Sequence, residues 1–252
     1  ADPAFADPPA GNWLSLLAPA YLAERAGAIG ETSMKKAKPG QPGAIQAAKS
    51  AYAPMPDQPE YGTSHLSIVD ADGHAVAMTS SIEQAFGARQ LSDGGTGLPG
   101  GFLLNNQLTD FAFVPRDAAG HPVANRVEPG KRPRSSMSPT LVFDAQSGAL
   151  LASLGAPGGA AIIHFTAKTL LGLYAWQLDA QRAVDLPNFT DFNGPLLLER
   201  QRFPAATLEA LRGLGHTVEE GELPSGLQAV QRTADGWFGG ADPRREGVVL
   251  GD

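Results

Sequence analysis

With no cysteine among 252 residues, thiol catalysis, disulfide frameworks and zinc ribbons are excluded together, which leaves serine and threonine hydroxyls among the nucleophiles to weigh. A serine or threonine hydroxyl is weak at its free pKa and needs a base. The usual signatures of such a pair are missing: there is no G-x-S-x-G elbow, and the Ser-x-x-Lys pair Ser33 to Lys36 falls in an irregular arm. Another activation makes the hydroxyl residue the first of a chain, so that its free α-amino group, with a pKa of about 8, serves as base. This requires cleavage immediately before a Thr, Ser or Cys. Thr63 fits: it follows a proline-rich stretch and Gly62, whose missing side chain leaves the peptide carbonyl accessible, and it opens an apolar-alternating segment that would hold a new terminus rigidly. The plainer alternative is a β-propensity residue starting a strand.

The elements that must position such a terminus are legible in outline. Leu66, Ile68, Asp70-Ala-Asp-Gly73 and Ala75 to Met78 spell a β-hairpin with an Asp-Gly turn. A turn centred between Ala71 and Asp72 sets Thr63 opposite Ser80, and a one-residue bulge moves its partner to Ser81, so three hydroxyls converge at the open end. A second hairpin is expected over Thr140 to Phe143 and Ala149 to Leu154, running into Gly155-Ala-Pro-Gly158-Gly159 and a helix from Ala160 that is too apolar all round to lie on the surface. Pro204 to Leu214 reads as a shorter helix, and Leu227 to Gln231 with Trp237 to Ala241 as a closing hairpin. Before Thr63, the pattern predicts one helix over Ala18 to Ile29 and then a long irregular linker. Thirty glycines and 21 prolines punctuate many short elements, which favours a sheet-rich α+β chain.

Several function classes are disfavoured. A formal net charge of -7 is the wrong balance for a phosphate-backbone binder, and Lys131-Arg132-Pro133-Arg134 alone makes no nucleic-acid footprint. No stretch approaches the roughly 18 consecutive apolar residues of a spanning helix. Gly95-Thr-Gly97-Leu-Pro-Gly100 matches a dinucleotide fingerprint literally, but no βαβ unit surrounds it and Pro99 sits where a helix should open, so a flexible surface loop is expected. His65, His74, His121, His164 and His216 are scattered, without metal-ligand spacing or an adjacent carboxylate cluster.

Four stretches carry a family resemblance: Thr63-Ser-His-Leu-Ser-Ile-Val-Asp70, Leu103-Leu-Asn-Asn-Gln-Leu-Thr-Asp110-Phe, Lys131-Arg-Pro-Arg-Ser-Ser-Met-Ser-Pro139 and Gly155-Ala-Pro-Gly-Gly159. In this order, with Ala241-Asp-Pro-Arg244 near the end, they resemble the γ-glutamyltranspeptidase family over essentially the whole chain. The resemblance implies an N-terminal-nucleophile hydrolase with an αββα sandwich, here short of its N-terminal part. Residues 1–62 would be the tail of the large subunit and 63–252 the small catalytic subunit, made as one precursor, cleaved between Gly62 and Thr63 and staying associated with the rest of the large subunit. Thr63 would be the nucleophile, and Ser81, in place of a family threonine, would orient it. Gly158 and Gly159 would form the oxyanion hole, placed at a helix N-terminus where unpaired donors favour an anion. Gln107 and Asp110 would hold the substrate α-amino group, and Ser135 and Ser136 its α-carboxylate. Glu83 stands where the family carries asparagine, which would put two carboxylates around one ammonium. The stretch Ser92 to Gly101 is longer than the common spacing and suggests a lid.

The implied activity is γ-glutamyl hydrolysis and transfer from glutathione-like donors through an acyl-Thr63 intermediate, with water, an amino acid or a peptide as acceptor and no metal or organic cofactor. The alternatives are an acylase of different acyl specificity and a non-catalytic fragment or pseudoenzyme that keeps the fold as a binding module. A periplasmic or secreted location follows from the same resemblance.

Overall fold

The computed structural model describes residues 2–6, 13–40, 52–53, 55 and 62–251. Most of the linker predicted before Thr63 lies outside these residues; of its described part, 30–40 contains neither helix nor strand, and Ala53 forms an isolated parallel bridge with Val123. Helix α1 (Pro19–Gly27) matches the predicted helix, with proline in the first turn where its missing N–H costs no hydrogen bond, and it buries none of its residues.

Strands β1 (Thr63–Val69) and β2 (Ala75–Ser81) form the first hairpin, with Thr63 opposite Ser81 and Val69 opposite Ala75. The extra residue sits in the turn and not in the strands. Gly73 N–H donates to the Asp70 carbonyl, Asp70 N–H donates to the His74 carbonyl, and Gly73 takes φ +86°. Ser80 therefore pairs with Ser64 on the opposite face, and two hydroxyls converge at the open end, not three. The same turn corrects the expectation that no histidine has a carboxylate cluster beside it. Asp70, Asp72 and His74 gather at the exposed tip, where Asp70 Oδ1 accepts the Asp72 and His74 N–H groups, a local capping of the turn.

Two-residue strands β3 (Leu91–Ser92) and β4 (Phe102–Leu103) close an exposed loop over the Gly95–Gly100 stretch, with no helix behind it. Strands β5 (Thr140–Phe143) and β6 (Leu150–Gly155) form the second predicted hairpin. Next come helices α2 (Ile162–Tyr174) and α3 (Ala180–Asp185), strands β7 (Phe189–Asp191) and β8 (Leu196–Glu199), helix α4 (Ala205–Gly213) and strands β9 (Val218–Gly221), β10 (Gln228–Thr233) and β11 (Gly236–Ala241). The central sheet runs β11-β10-β6-β5, and a separate sheet runs β7-β8-β9 with β8 and β9 parallel. Strands of three or four residues are too short for alternation to register, so this second sheet leaves no signal in the hydrophobic pattern.

The two faces of β6 show the layering. Ala152 and Leu154 are fully buried against Ile162, Phe165 and Leu173 of α2 and against α3. On the other face, Ser153 Oγ donates to the Val76 carbonyl of β2, and Gly155 lies under the His65 ring of β1. Hairpin, sheet and helices thus stack in that order, an α+β architecture. The helix α2 departs from expectation: Ile163 and Leu171 are 55% and 47% exposed. Its buried face instead carries Thr166, Lys168 and Thr169, and its contacts run to α3 and β6 on that side. The outer face of the first hairpin is apolar and open among the described residues, with Leu66, Ile68, Val76 and Met78 between 36% and 54% exposed. In an αββα sandwich a second helical layer would lie there.

A polar network closes the helical side. The buried Lys168 donates to the Val184 and Leu186 carbonyls and to Asn188 Oδ1. Asn188 donates onward to the Leu223 carbonyl and Ser225 Oγ, and Arg244 bridges Glu199 and Asp242. Burial, with Arg244 nearby, pushes the Lys168 ammonium down to about 7, while its three donated hydrogen bonds favour the charged form.

Candidate active site

At the open end of the first hairpin, Thr63 Oγ1 donates to Ser81 Oγ at 3.3 Å, and Ser81 Oγ donates to the Gly62 carbonyl at 3.0 Å. Glu83 N–H donates to the same Ser81 oxygen at 2.9 Å. One donor and two acceptor sites are all a hydroxyl has, so Ser81 is locked between the nucleophile candidate and the carbonyl before it. Gly62 takes φ +77°, and a Cβ there would collide with the Glu83 carbonyl oxygen. Glu83 itself has φ +71°, a conformation that side chains seldom adopt and that the turn after β2 imposes.

That turn aims Glu83 into the structure. Glu83 and Asp110 are each 5% exposed, and Gln107 lies between them, its Nε2 donating to Glu83 Oε2 at 3.5 Å and to Asp110 Oδ2. Gln107 and Asp110 begin and end a single 3-10 turn, whose i,i+3 spacing puts both side chains on one side. Two bonds anchor that turn to the chain after β2: Asn106 N–H donates to the Ile82 carbonyl, and Asn106 Oδ1 accepts the Gln84 N–H. Ser135 and Ser136 come from an extended segment between Gly130 and β5 that belongs to no strand. Gly158 and Gly159 follow β6 and start the 3-10 turn that feeds α2. A side chain at Gly158, with φ +136°, would press on the Phe165 ring. Neither glycine amide donates to an acceptor among the described residues.

One cleft gathers Thr63, Ser81, Glu83, Gln107, Asp110, Ser135, Ser136 and Gly159, and an adjoining hollow holds Gly62 and Gly158. All ten residues singled out in the sequence thus come together. Met137 and Ile162 complete the cleft wall. They carry no chemical signature of their own, and only their adjacency to Ser136 and to the glycine turn could have pointed to them. Among the described residues, two carboxylates and no cationic side chain line the cleft, so it favours a positively charged group. His65, behind it, bonds Thr79 Oγ1 at 2.8 Å and Ser67 Oγ at 3.1 Å. Burial pushes its imidazole down to about 4. It is neutral at physiological pH and is bonded away from Thr63, which leaves the hydroxyl without a histidine partner.

The Gamma-glutamyltranspeptidase family model matches residues 1–252. A glutathione hydrolase proenzyme of Bacillus subtilis (strain 168) is 33% identical over 260 residues, covering 99% of this chain and 41% of that protein. The corresponding proenzyme of Escherichia coli (strain K12) is 32% identical over 252 residues, covering 96% of this chain and 40% of its own length. The chain therefore spans about two fifths of these relatives. Among solved structures, Gamma-glutamyltranspeptidase from Pseudomonas nitroreducens complexed with L-DON superposes with a TM-score of 0.63 at 30% identity, over 75% of this chain and 98% of that one. Cephalosporin acylase from Bacillus halodurans, at 23% identity and a TM-score of 0.71, shares the fold.

Proposed function

This chain belongs to the γ-glutamyltranspeptidase family, and from that premise we propose that it is the catalytic part of a γ-glutamyl hydrolase and transferase that cleaves itself between Gly62 and Thr63. The observation that carries the reading is the single cleft in which five separate chain segments place a hydroxyl, a pair of carboxylates, a pair of serines and a glycine turn. The chain length supports the division at Thr63. Residues 63–252 make up about three quarters of the sequence, and the solved family chain is matched over 98% of its length by 75% of this one.

In the precursor, Thr63 Oγ1 attacks the Gly62 carbonyl carbon, which Ser81 Oγ–H polarises at 3.0 Å. The C–N bond breaks, the Thr63 nitrogen leaves as an amine, and water hydrolyses the resulting ester. The mature α-amine then accepts the Thr63 hydroxyl proton as Oγ1 attacks the γ-carbonyl of a glutathione-like donor. The Gly158 and Gly159 amides hold the oxyanion. Collapse returns the proton to the departing amine and leaves acyl-Thr63, which water, an amino acid or a peptide takes up.

Glu83, Asp110 and Gln107 bind the donor's α-ammonium, and Ser135 and Ser136 its α-carboxylate. Two carboxylates around one ammonium bind it more tightly than one, and Gln107, donating to both, keeps them apart. The uncovered apolar face of β1 and β2 receives the remainder of the large subunit. A periplasmic or secreted site of action accords with the family; among the described residues no helix is long and apolar enough to cross a membrane.

Intact mass and N-terminal sequencing of the full-length gene product test the reading, with Thr63→Ala as control. A new chain beginning Thr-Ser-His-Leu that vanishes in the variant, together with release of 4-nitroaniline from γ-glutamyl-4-nitroanilide, is the expected result. A single uncleaved and inactive species would overturn it in favour of a binding module.

A further inference from the structure

The segment that carries Ser135 and Ser136 runs as extended chain without a strand partner, so its main-chain N–H groups must find acceptors elsewhere. Two alternate ones are taken by side chains. Arg132 N–H donates to Asp2 Oδ2 at 3.0 Å, and Arg134 N–H donates to Asn125 Oδ1 at 2.9 Å. Asn125, 5% exposed, spends the rest of its amide on the facing wall: Nδ2 donates to the Asp110 carbonyl at 2.7 Å and to Met55 Sδ at 3.2 Å. Its own carbonyl accepts the Ala112 N–H at 3.0 Å. One planar amide therefore holds the main chains of Asp110 and Arg134 at a fixed separation. Only asparagine among short side chains offers a donor and an acceptor on one such plane.

We propose that Asn125 is a positioning residue that sets the spacing between the ammonium and carboxylate subsites, and through it the requirement that the acyl donor carry both groups on one carbon. This rests on the functional reading above. Asp2 acts on the carboxylate side alone: Arg132 donates to it through Nε and Nη2 as well as the main chain, and Asp110 is untouched.

The test uses the full-length gene product, with kcat expressed per cleaved molecule, and three 4-nitroanilides: γ-glutamyl, glutaryl (no α-amino group) and 4-aminobutyryl (no α-carboxylate). In Asn125→Ala, KM for the γ-glutamyl substrate should rise about tenfold with kcat changed less than about threefold. The preference for that substrate over each truncated one should fall about tenfold. Asn125→Asp keeps the acceptor for Arg134 and loses the donor to Asp110, and should fall between the two.

A merely structural residue would lower all three activities in proportion. That result, or an unchanged KM, overturns the inference. If Asn125→Ala fails to mature, Asp2→Ala reads the same segment: KM should rise for the two carboxylate-bearing substrates and stay put for 4-aminobutyryl-4-nitroanilide, and equal shifts in all three would overturn the inference. A wild-type protein that is cleaved but inactive on γ-glutamyl-4-nitroanilide defeats the functional reading itself, and the inference with it. A wild-type protein active on that substrate, with Asn125→Ala indistinguishable from it, defeats the inference alone.

Discussion

On one face of β6, Ala152 and Leu154 lie fully buried in a cluster that extends through α2 and α3 to Leu227 and Ala229; on the other, Ser153 and Gly155 meet a hairpin whose inward face carries Thr63, His65, Ser67, Thr79 and Ser81. The helical side is held mainly by burial of apolar area, which is non-directional, together with the buried hydrogen bonds of Lys168, Asn188 and Arg244. The cleft side is held by directed bonds from Ser81, Asn106, Asn125 and Asp2 to main-chain groups, and its apolar cluster is Ala53, Ala112 and Val123, with Met55 packed against it. Area holds the body together, and hydrogen-bond geometry sets the site. Changes on the two sides should therefore separate stability from turnover.

Thr63→Ala gives the sharpest separation. Self-cleavage and turnover should disappear, a loss of about a thousandfold or more, because the proposed reading assigns both the nucleophile and the base to this one residue. The thermal midpoint should move by less than about 2 °C, since Thr63 is a half-buried strand end. An unfolded Thr63→Ala would break the comparison.

Leu154→Ala should do the reverse. Its side chain is fully buried, so the variant should lose about 3 to 4 kcal/mol of stability in denaturant titrations, while the molecules that remain folded keep their turnover.

Glu83→Gln comes third. It removes one of the two carboxylates of the cleft, and if these bind the donor ammonium as proposed, KM for a γ-glutamyl donor should rise roughly 5- to 30-fold, equivalent to about 1 to 2 kcal/mol. Heat stability should change little. A KM that does not move would mean that Asp110 alone binds the ammonium.

Last comes a pH slope in stability alone. The folded state holds the His65 imidazole at about 4, below its ordinary value of 6.5. Folding thus favours the neutral ring, and the stability linked to it is complete above about 6.5 and is lost as pH falls toward 4. The thermal midpoint of wild type should drop over that window more than that of His65→Gln. Parallel curves would show that the ring is not where burial controls it.

Much of this division was legible in the sequence. Both expected hairpins, the α1 and α4 helices and the β10–β11 pair follow from period-two and period-3.6 patterns bounded by Gly and Pro. The register at Thr63 depends on where one extra residue sits, and alternation cannot distinguish a bulge from a longer turn, so the sequence leaves Ser80 and Ser81 both open as its partner and gathers three hydroxyls where the structure has two. The open apolar side of α2 reads as buried in the sequence because composition shows how apolar a helix is and not what surrounds it. Seven of the site residues stand in four motifs that a family resemblance orders, with Gly62, Ser81 and Glu83 outside them, and Asn125, between Ala124 and Arg126, belongs to no such motif. Its role comes from three partners 9, 15 and 70 residues away in sequence, a distance no local pattern spans.

The contact between Gly62 and the Glu83 carbonyl has an evolutionary consequence. A side chain at position 62 would push against the turn that gives Glu83 its unusual backbone conformation. On the proposed reading, the residue before the scissile bond therefore also shapes the wall that would read the donor. If the chain matures as proposed, a mutation at position 62 is screened twice, once for whether the chain can cut itself and once for the pocket left behind, and drift in donor preference would be penalised first as failed maturation.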